Sequence, residues 1–269
     1  MSRAAESLRP PRRSALLLEA RAAVDLVRMV GPLVGSRRRG LVAQHPLLVM
    51  LVPGFGTDDR YLSPLRHYLG RHGFRAEGWG LGKNLAGVDL EHRLEDLSAS
   101  WEFAPKENYR GEASVPYLSD RLAERVRERH GETGLPVALV GWSLGGFLAR
   151  EVARDLPGIV DRVVTFGSPT IGGPKYTAAA PFFRKRGMDL DWIEREISRR
   201  ESRPIRQPIT AIYSRNDGIV SWRAAQDHHS PNVRHVEVDA AHMGMGFKPE
   251  IWSHVLEALE AENEGAGGS

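Results

Sequence analysis

The chain contains no cysteine among its 269 residues. Without thiols it can form no disulfide framework and can carry out no thiol chemistry, which favours a cytoplasmic location. Long apolar runs are also missing. Nothing approaches the roughly 20 consecutive apolar residues that a membrane-spanning helix requires. These two absences point away from disulfide-stapled secreted scaffolds and from membrane-spanning proteins.

The chain also has little excess of charge of either sign, since its formal net charge is only +3. The calculated pI of about 9.3 would be typical of a nucleic-acid-binding protein if the basic residues were clustered. Lysine and arginine are instead spread along the chain with acidic residues among them, as on an ordinary solvated surface. We therefore expect no nucleic-acid partner.

The first 44 residues are predicted to form an N-terminal arm and an amphipathic helix. The chain through Arg13 is rich in arginine and proline and is expected to lack fixed structure. Residues 14–34 follow with apolar side chains at helical spacing. This apolar stripe consists of Ala20, Ala23, Val24, Val27 and Val30.

A signal peptide is one interpretation of Leu16-Leu17-Leu18, but Glu19, Arg21 and Asp25 interrupt the apolar run and no clear cleavage site follows. The simplest interpretation is a helix packed on the domain. Because the segment is amphipathic and arginines follow it, weak contact of residues 14–39 with a membrane surface is a second hypothesis.

Strand-like and helix-like patterns alternate over residues 45–170 and 207–260. This alternation predicts an α/β fold with a mostly parallel central sheet and helices on both faces. Residues 171–206 break the rhythm with two amphipathic pieces, which predict a small helical cap inserted into the core. Residues 85–114 form a second irregular stretch, which we interpret as an insertion. The Glu/Gly/Ala/Ser tail at 261–269 is predicted to be disordered.

One stretch of the chain carries a motif in the structural context that the motif needs. An apolar strand, Val137–Val140, runs into Gly141-Trp142-Ser143-Leu144-Gly145, and a helical pattern begins directly afterwards. A serine there is presented on a tight turn from strand to helix, where a side chain at Gly141 or Gly145 would collide with its neighbours. Ser143 is therefore predicted to be a nucleophile.

Two further groups that a nucleophilic serine needs follow later strands. Asp217 lies after the predicted strand at 208–214, and His242 lies after the last predicted strand. Serine needs a base to take its proton, and neutral imidazole has a suitable pKa. A carboxylate at the other ring nitrogen orients the imidazole. Ser143, Asp217 and His242 are thus predicted to form a catalytic triad.

Alternatives to parts of this assignment exist. Asp239 is also close to His242 in the sequence and stays a second candidate for the acid. Asp227-His228-His229 invites a metal site, but adjacent histidines point in different directions on a helix and no further ligand cluster is evident. No metal and no organic cofactor is therefore predicted.

The negative charge that develops on a substrate carbonyl oxygen needs fixed donors. The backbone N–H of Leu144, directly after the nucleophile, is predicted to be one of them. The backbone N–H of Phe55, in the turn after the first strong strand, is predicted to be the other. Each donor is worth roughly 3 kcal/mol of transition-state stabilisation.

Together these motifs resemble the α/β-hydrolase superfamily, and the chain is similar to bacterial lipase and esterase members over residues 45–259. The resemblance implies hydrolysis of carboxylic esters through an acyl-enzyme, without a cofactor. It is carried by Pro53-Gly54-Phe55-Gly56, Gly141-Trp142-Ser143-Leu144-Gly145-Gly146, Thr165-Phe166-Gly167-Ser168-Pro169, Asp217-Gly218-Ile219-Val220 and His242-Met243-Gly244.

The expected substrate is a small-molecule or lipid-like ester whose acyl group enters an apolar pocket. Acyl transfer on the same triad and a non-catalytic binding protein on the same fold remain alternatives. Large apolar side chains near the motifs and in the predicted cap are the candidates for lining the pocket, namely Trp142, Phe182, Phe183, Trp192 and Met243.

Overall fold

The computed structural model describes residues 8–21, 46–103 and 110–261. Within them, six strands form one sheet in which every pairing is parallel. The strands are β1 (Leu48–Val52), β2 (Arg75–Gly78), β3 (Val137–Trp142), β4 (Val160–Phe166), β5 (Ile209–Tyr213) and β6 (Val233–Glu237). Their order across the sheet is β2-β1-β3-β4-β5-β6.

The position of each strand in the sheet follows its composition. The central strands β1 and β3 are buried at every residue, and both are continuous apolar runs apart from one glycine. The edge strands β2 and β6 carry charged residues and are only partly buried. Apolar runs of this kind belong in the middle of a sheet that is covered on both faces.

Helices cover both faces of the sheet, which confirms the predicted α/β class. The helices are α1 (Ser63–Arg71), α2 (Ser114–Thr133), α3 (Leu144–Asp155), α4 (Ala180–Lys185), α5 (Leu190–Arg200) and α6 (Pro249–Glu260), with 3-10 turns at Arg13–Arg21, Leu94–Asp96, Gly173–Tyr176 and His242–Phe247.

Side chains alternate across β1, so the sheet separates two apolar cores. Val49 and Leu51 pack with side chains of α1 and α6 on one face. Leu48, Met50 and Val52 pack with α2 and α3 on the other. Helix α3, which follows the predicted nucleophile, therefore lies directly against the central strands.

Helix α1 begins at Ser63, after a turn in which the Asp59 carboxylate accepts the backbone N–H groups of Trp79 (3.0 Å) and Gly80 (3.2 Å). The irregular stretch at 85–114 contains the single 3-10 turn Leu94–Asp96.

The predicted helix at 14–34 lies only partly within the described residues. It is described only as the 3-10 helix Arg13–Arg21, and its remainder lies outside the described residues. Of the predicted tail, Ala261 is described and residues 262–269 are not.

The two irregular stretches of the sequence contact each other. The guanidinium of Arg200, at the end of α5, lies 3.7 Å from the ring centroid of Trp101 and donates to the carbonyl of Ser100 at 2.6 Å. The rings of Phe103 and Trp192 are 5.4 Å apart. No helix in the described ranges has both the length and the apolar character needed to cross a membrane.

Candidate active site

Ser143 sits on a sharp turn between β3 and α3. Its backbone has φ 54° and ψ −126°, a region that residues with a side chain rarely occupy. A Cβ atom at Gly145 would lie 2.1 Å from the carbonyl oxygen of Val52, and one at Gly141 would lie 2.4 Å from the Cα atom of Gly146. The turn therefore needs both glycines, as the sequence predicts, and it holds Ser143 in a strained conformation.

Ser143, His242 and Asp217 form one hydrogen-bonded chain. His242 Nε2 is 3.0 Å from Ser143 Oγ, and His242 Nδ1 is 2.8 Å from Asp217 Oδ2. Both Asp217 and His242 are buried. A carboxylate at Nδ1 keeps the proton on that nitrogen, which leaves the Nε2 lone pair free to accept from the serine hydroxyl.

The acid loop is built so that Asp217 points at the histidine. Its other oxygen, Oδ1, accepts the backbone N–H groups of Ile219 (2.8 Å) and Val220 (2.7 Å), which fixes the carboxylate. Asp239 accepts instead from the side chain of Asn216 at 2.8 Å. Of the two candidate acids, the structure thus places Asp217 at His242.

In the Asp227-His228-His229 stretch, the Asp227 carboxylate makes contacts with the protein itself. The carboxylate of Asp227 pairs with Arg150 and accepts the backbone N–H groups of His229 (2.8 Å) and Ser230 (3.1 Å). Burial alone would raise the pKa of Asp227, but the charge of Arg150 lowers it well below its usual range. Asp227 is therefore an anion that pairs with Arg150 on α3.

The two predicted oxyanion donors have free N–H groups. Neither Phe55 nor Leu144 donates its backbone N–H to any acceptor in the described parts of the chain. The turn that carries Phe55 is held by Asn84, which is fully buried. The Asn84 side chain donates to the carbonyl of Pro53 at 2.8 Å, and its backbone carbonyl accepts from Gly56 at 2.7 Å.

A cavity of about 230 Å³ opens onto Ser143 and His242. Four of the five predicted pocket residues line it, namely Trp142, Phe183, Trp192 and Met243. Phe182 is not part of the wall formed by the described residues. Its ring is 49% exposed and packs edge-on against Phe183, with 5.3 Å between ring centroids. Successive residues of a helix point in different directions, so α4 turns only one of the two rings inward.

The stretch at 85–114 supplies another part of the cavity wall. Its lining side chains include Val88, Trp101 and Phe103. Both irregular stretches of the sequence therefore meet over Ser143. Residue types in these stretches determine the shape of the cavity.

Charged groups form part of the cavity wall. Glu151 on α3 and Arg200 on α5 line it and pair with each other at 2.5 Å. Burial raises the pKa of Glu151, but the charges of Arg154 and Arg200 outweigh it and lower the pKa below its usual value. The cavity wall therefore includes a paired, ionised cluster that also joins α3 to α5.

Sequence reasoning missed two residues that hold the site. Asn84 holds the turn that contains Phe55, and its only sequence signal is its place in a glycine-rich loop after β2. Glu19 accepts the backbone N–H groups of Gly218, His242 and Met243. In the sequence Glu19 is noticeable only as a charge that interrupts an apolar run.

No protein-family model and no curated protein matches this chain. Many solved structures do. An esterase from Pyrococcus furiosus, Pf2001, is 18% identical, with 80% of this chain and 82% of that chain covered and a TM-score of 0.50. A lipase-esterase related protein from Clostridium acetobutylicum is 14% identical, with 82% and 96% covered and a TM-score of 0.50.

A bacterial membrane phospholipase A is also similar. It is 14% identical, the match covers 92% of this chain and 96% of that chain, and the TM-score is 0.54. At these identities the similarity establishes the fold. The parallel sheet, the turn at Ser143 and these structural matches show that the chain has the α/β-hydrolase fold and resembles the esterases and lipases built on it.

Proposed function

We propose that the protein is a serine hydrolase that cleaves carboxylic esters through an acyl-enzyme. The observation that carries the proposal is the Asp217–His242–Ser143 hydrogen-bonded chain facing an apolar cavity. Ser143 is the proposed nucleophile, His242 the base and then the acid, and Asp217 the group that orients and stabilises the imidazolium.

In the first half of the proposed reaction, His242 Nε2 takes the proton of Ser143 Oγ as that oxygen attacks the ester carbonyl carbon. The N–H groups of Phe55 and Leu144 then stabilise the negative carbonyl oxygen. The alkoxy group leaves with the proton from His242. In the second half, water attacks the acyl-enzyme by the same route and releases the acid.

The proposed acyl group is medium or long and apolar. Support comes from the aromatic and methionine side chains of the cavity wall, which would desolvate such a chain. We propose residues 171–206 as the cap over this pocket, within a hydrolase core made of residues 45–170 and 207–260. A small-molecule or lipid-like ester is the substrate class that fits.

Hydrolysis of p-nitrophenyl esters of increasing acyl length, by wild type and Ser143→Ala, tests the proposal. We expect wild type to turn over the longer esters better, and Ser143→Ala to lose at least about a thousandfold in kcat. A fluorophosphonate should label wild type at Ser143. Equal turnover by the two proteins, or a wild type that is not labelled, would overturn the proposal and favour a non-catalytic binding protein.

Acyl transfer on the same triad is the second candidate. The apolar cavity wall supports acyl transfer, because in a site that excludes water an alcohol can attack the acyl-enzyme in place of water. Product analysis with added alcohols distinguishes the two reactions. Free acid as the main product supports hydrolysis, and a new ester supports transfer.

We also propose membrane contact through residues 14–39 and a cytoplasmic location. Leu16 and Leu17 are exposed, at 43% and 78%, which fits an apolar surface near a membrane. Residues 22–39 lie outside the described parts of the chain. Co-sedimentation with liposomes, before and after removal of the first 39 residues, tests the contact.

A further inference from the structure

The side chain of Glu19 connects the two loops that carry the acid and the base of the proposed triad. Glu19 Oε1 accepts from the backbone N–H of Gly218 at 2.9 Å and from that of His242 at 3.0 Å. Glu19 Oε2 accepts from the N–H of Met243 at 2.9 Å. Gly218 directly follows Asp217, so one carboxylate oxygen bridges the acid loop and the histidine itself.

A second observation shows that the acid loop is shaped to receive this segment. A Cβ atom at Gly218 would lie 2.4 Å from the backbone oxygen of Ala15 and 2.8 Å from Glu19 Oε1. The φ angle of Gly218 is not in the left-handed region, so the backbone conformation alone does not demand glycine. Close packing of the 3-10 helix Arg13–Arg21 is the reason that no side chain fits there.

We infer that Glu19 is a positioning residue, which holds His242 and Asp217 in register by accepting three backbone N–H groups from their loops. The inference rests on the proposed function, since it concerns the same triad. Glu19 does not line the cavity, so its effect on substrate is exerted through the two loops.

The physical basis is the accuracy that proton transfer requires. Hydrogen bonds to an ionised acceptor are shorter and stronger than neutral ones. Without Glu19, the partly buried N–H groups of Gly218 and His242 and the exposed N–H group of Met243 would have to find water, and the loops would be free to separate. A displacement of about 1 Å in a catalytic group can cost a hundredfold in rate. The arm is therefore part of the active site although it is nearly 200 residues away in sequence.

The test compares Glu19→Ala, Glu19→Gln and Gly218→Ala in the full chain, with Arg12→Ala, just before the same helix, as the control. For Glu19→Ala we expect a fall in kcat of about tenfold or more, with KM within about twofold of wild type. The rate of fluorophosphonate labelling of Ser143 should fall in parallel. Arg12 is exposed and should tolerate alanine without change.

The glutamine variant separates positioning from folding. Its amide oxygen can still bridge Gly218 and His242, while its NH₂ group cannot accept from Met243. We expect Glu19→Gln to recover most of the lost kcat, to within about threefold of wild type. Gly218→Ala displaces the helix by another route, so it should lower kcat like Glu19→Ala, and the double variant should be no worse than either single one.

The outcomes separate the inference from the proposed function. If wild type is labelled and Glu19→Ala reacts as fast, the inference is wrong while the function stands. If kcat per folded molecule is unchanged and only the melting temperature falls, Glu19 is merely structural and the inference is also wrong. A wild type that is neither labelled nor active removes the proposed function, and the inference with it.

Discussion

The nucleophile side and the acid–base side of the candidate triad are held in place by different means. Ser143 is fixed by its immediate neighbours: its N–H donates to Phe166 of the adjacent strand at 2.9 Å, and glycines allow the chain to turn. Asp217 and His242 lie on loops after β5 and β6 and are tied together by Glu19, which is 223 residues from His242. One side is held by the glycines of the turn and the adjacent strands, and the other by a side chain from the N-terminal arm.

The difference has a consequence for how each side responds to substitution. On the nucleophile side, β1, β3 and the first turn of α3 are packed so closely that a single added atom strains the fold. On the acid–base side, side-chain hydrogen bonds hold loops, so loss of a partner affects geometry more than stability. Substitutions on the two sides should therefore separate activity from stability.

Asp217→Asn should have the largest effect, and it should fall on activity alone. The asparagine keeps the shape of the loop but no longer fixes the tautomer of His242 or stabilises its charge, so we expect kcat to fall about 10⁴-fold. The melting temperature should change little. Hydrolysis of a p-nitrophenyl ester measures the first effect and calorimetry the second.

Asp239→Asn is the matched control for this substitution, because Asp239 is the other acid close to His242 in sequence and binds Asn216 instead. It should keep kcat within about twofold of wild type. A larger loss for Asp239→Asn than for Asp217→Asn would reverse the assignment of the acid.

The sequence was sufficient for most of the nucleophile side. The apolar run before Gly141 and the helical pattern after Ser143 predict β3 and α3, and α3 (Leu144–Asp155) begins directly after Ser143, as predicted. These signals are local and periodic. The same holds for the parallel sheet, since alternating patterns favour one topology.

The rest could not be predicted, for physical reasons. Glu19 and Asn84 bind backbone groups, and any residue provides a backbone N–H or carbonyl, so the partner leaves no trace in the sequence. Phe182 and Phe183 have equal apolar character, and only the phase of a short helix decides which of them faces the cavity. Residues 85–114 have no periodic sequence pattern, and the contacts of Ser100, Trp101 and Phe103 with α5 leave no local signal.

Gly145→Ala should have the next largest effect, on stability. The added Cβ would lie 2.1 Å from the backbone oxygen of Val52, which cannot move without disturbing β1. We expect a loss of about 3 kcal/mol in the free energy of unfolding, measured by urea denaturation.

Gly131→Ala is the matched control, since Gly131 is also in a helix and has nothing within 4 Å of the new atom. Alanine favours helix there, so this variant should be about 0.5 to 1 kcal/mol more stable than wild type. If both variants lost similar amounts of stability, the loss in Gly145→Ala would come from its position in a helix and not from the contact with β1.

The smallest predicted effect concerns the ion pair that joins the two sides. Arg150 lies on α3 of the nucleophile side, and Asp227 lies between β5 and β6 on the acid–base side. Because the folded pKa of Asp227 is lowered, the unfolded chain binds its proton first as pH falls. The stabilisation is therefore complete above the unfolded pKa of about 4 and is lost below it.

We expect the free energy of unfolding of wild type to fall by about 1 to 2 kcal/mol more than that of Asp227→Asn between about pH 6 and pH 3. Glu124→Gln, an exposed change on α2, should keep the slope of wild type. Urea denaturation across this range gives the slopes. Because Asp227→Asn removes the titrating group that pairs with α3, an unchanged slope would mean that this ion pair does not couple the two sides of the site.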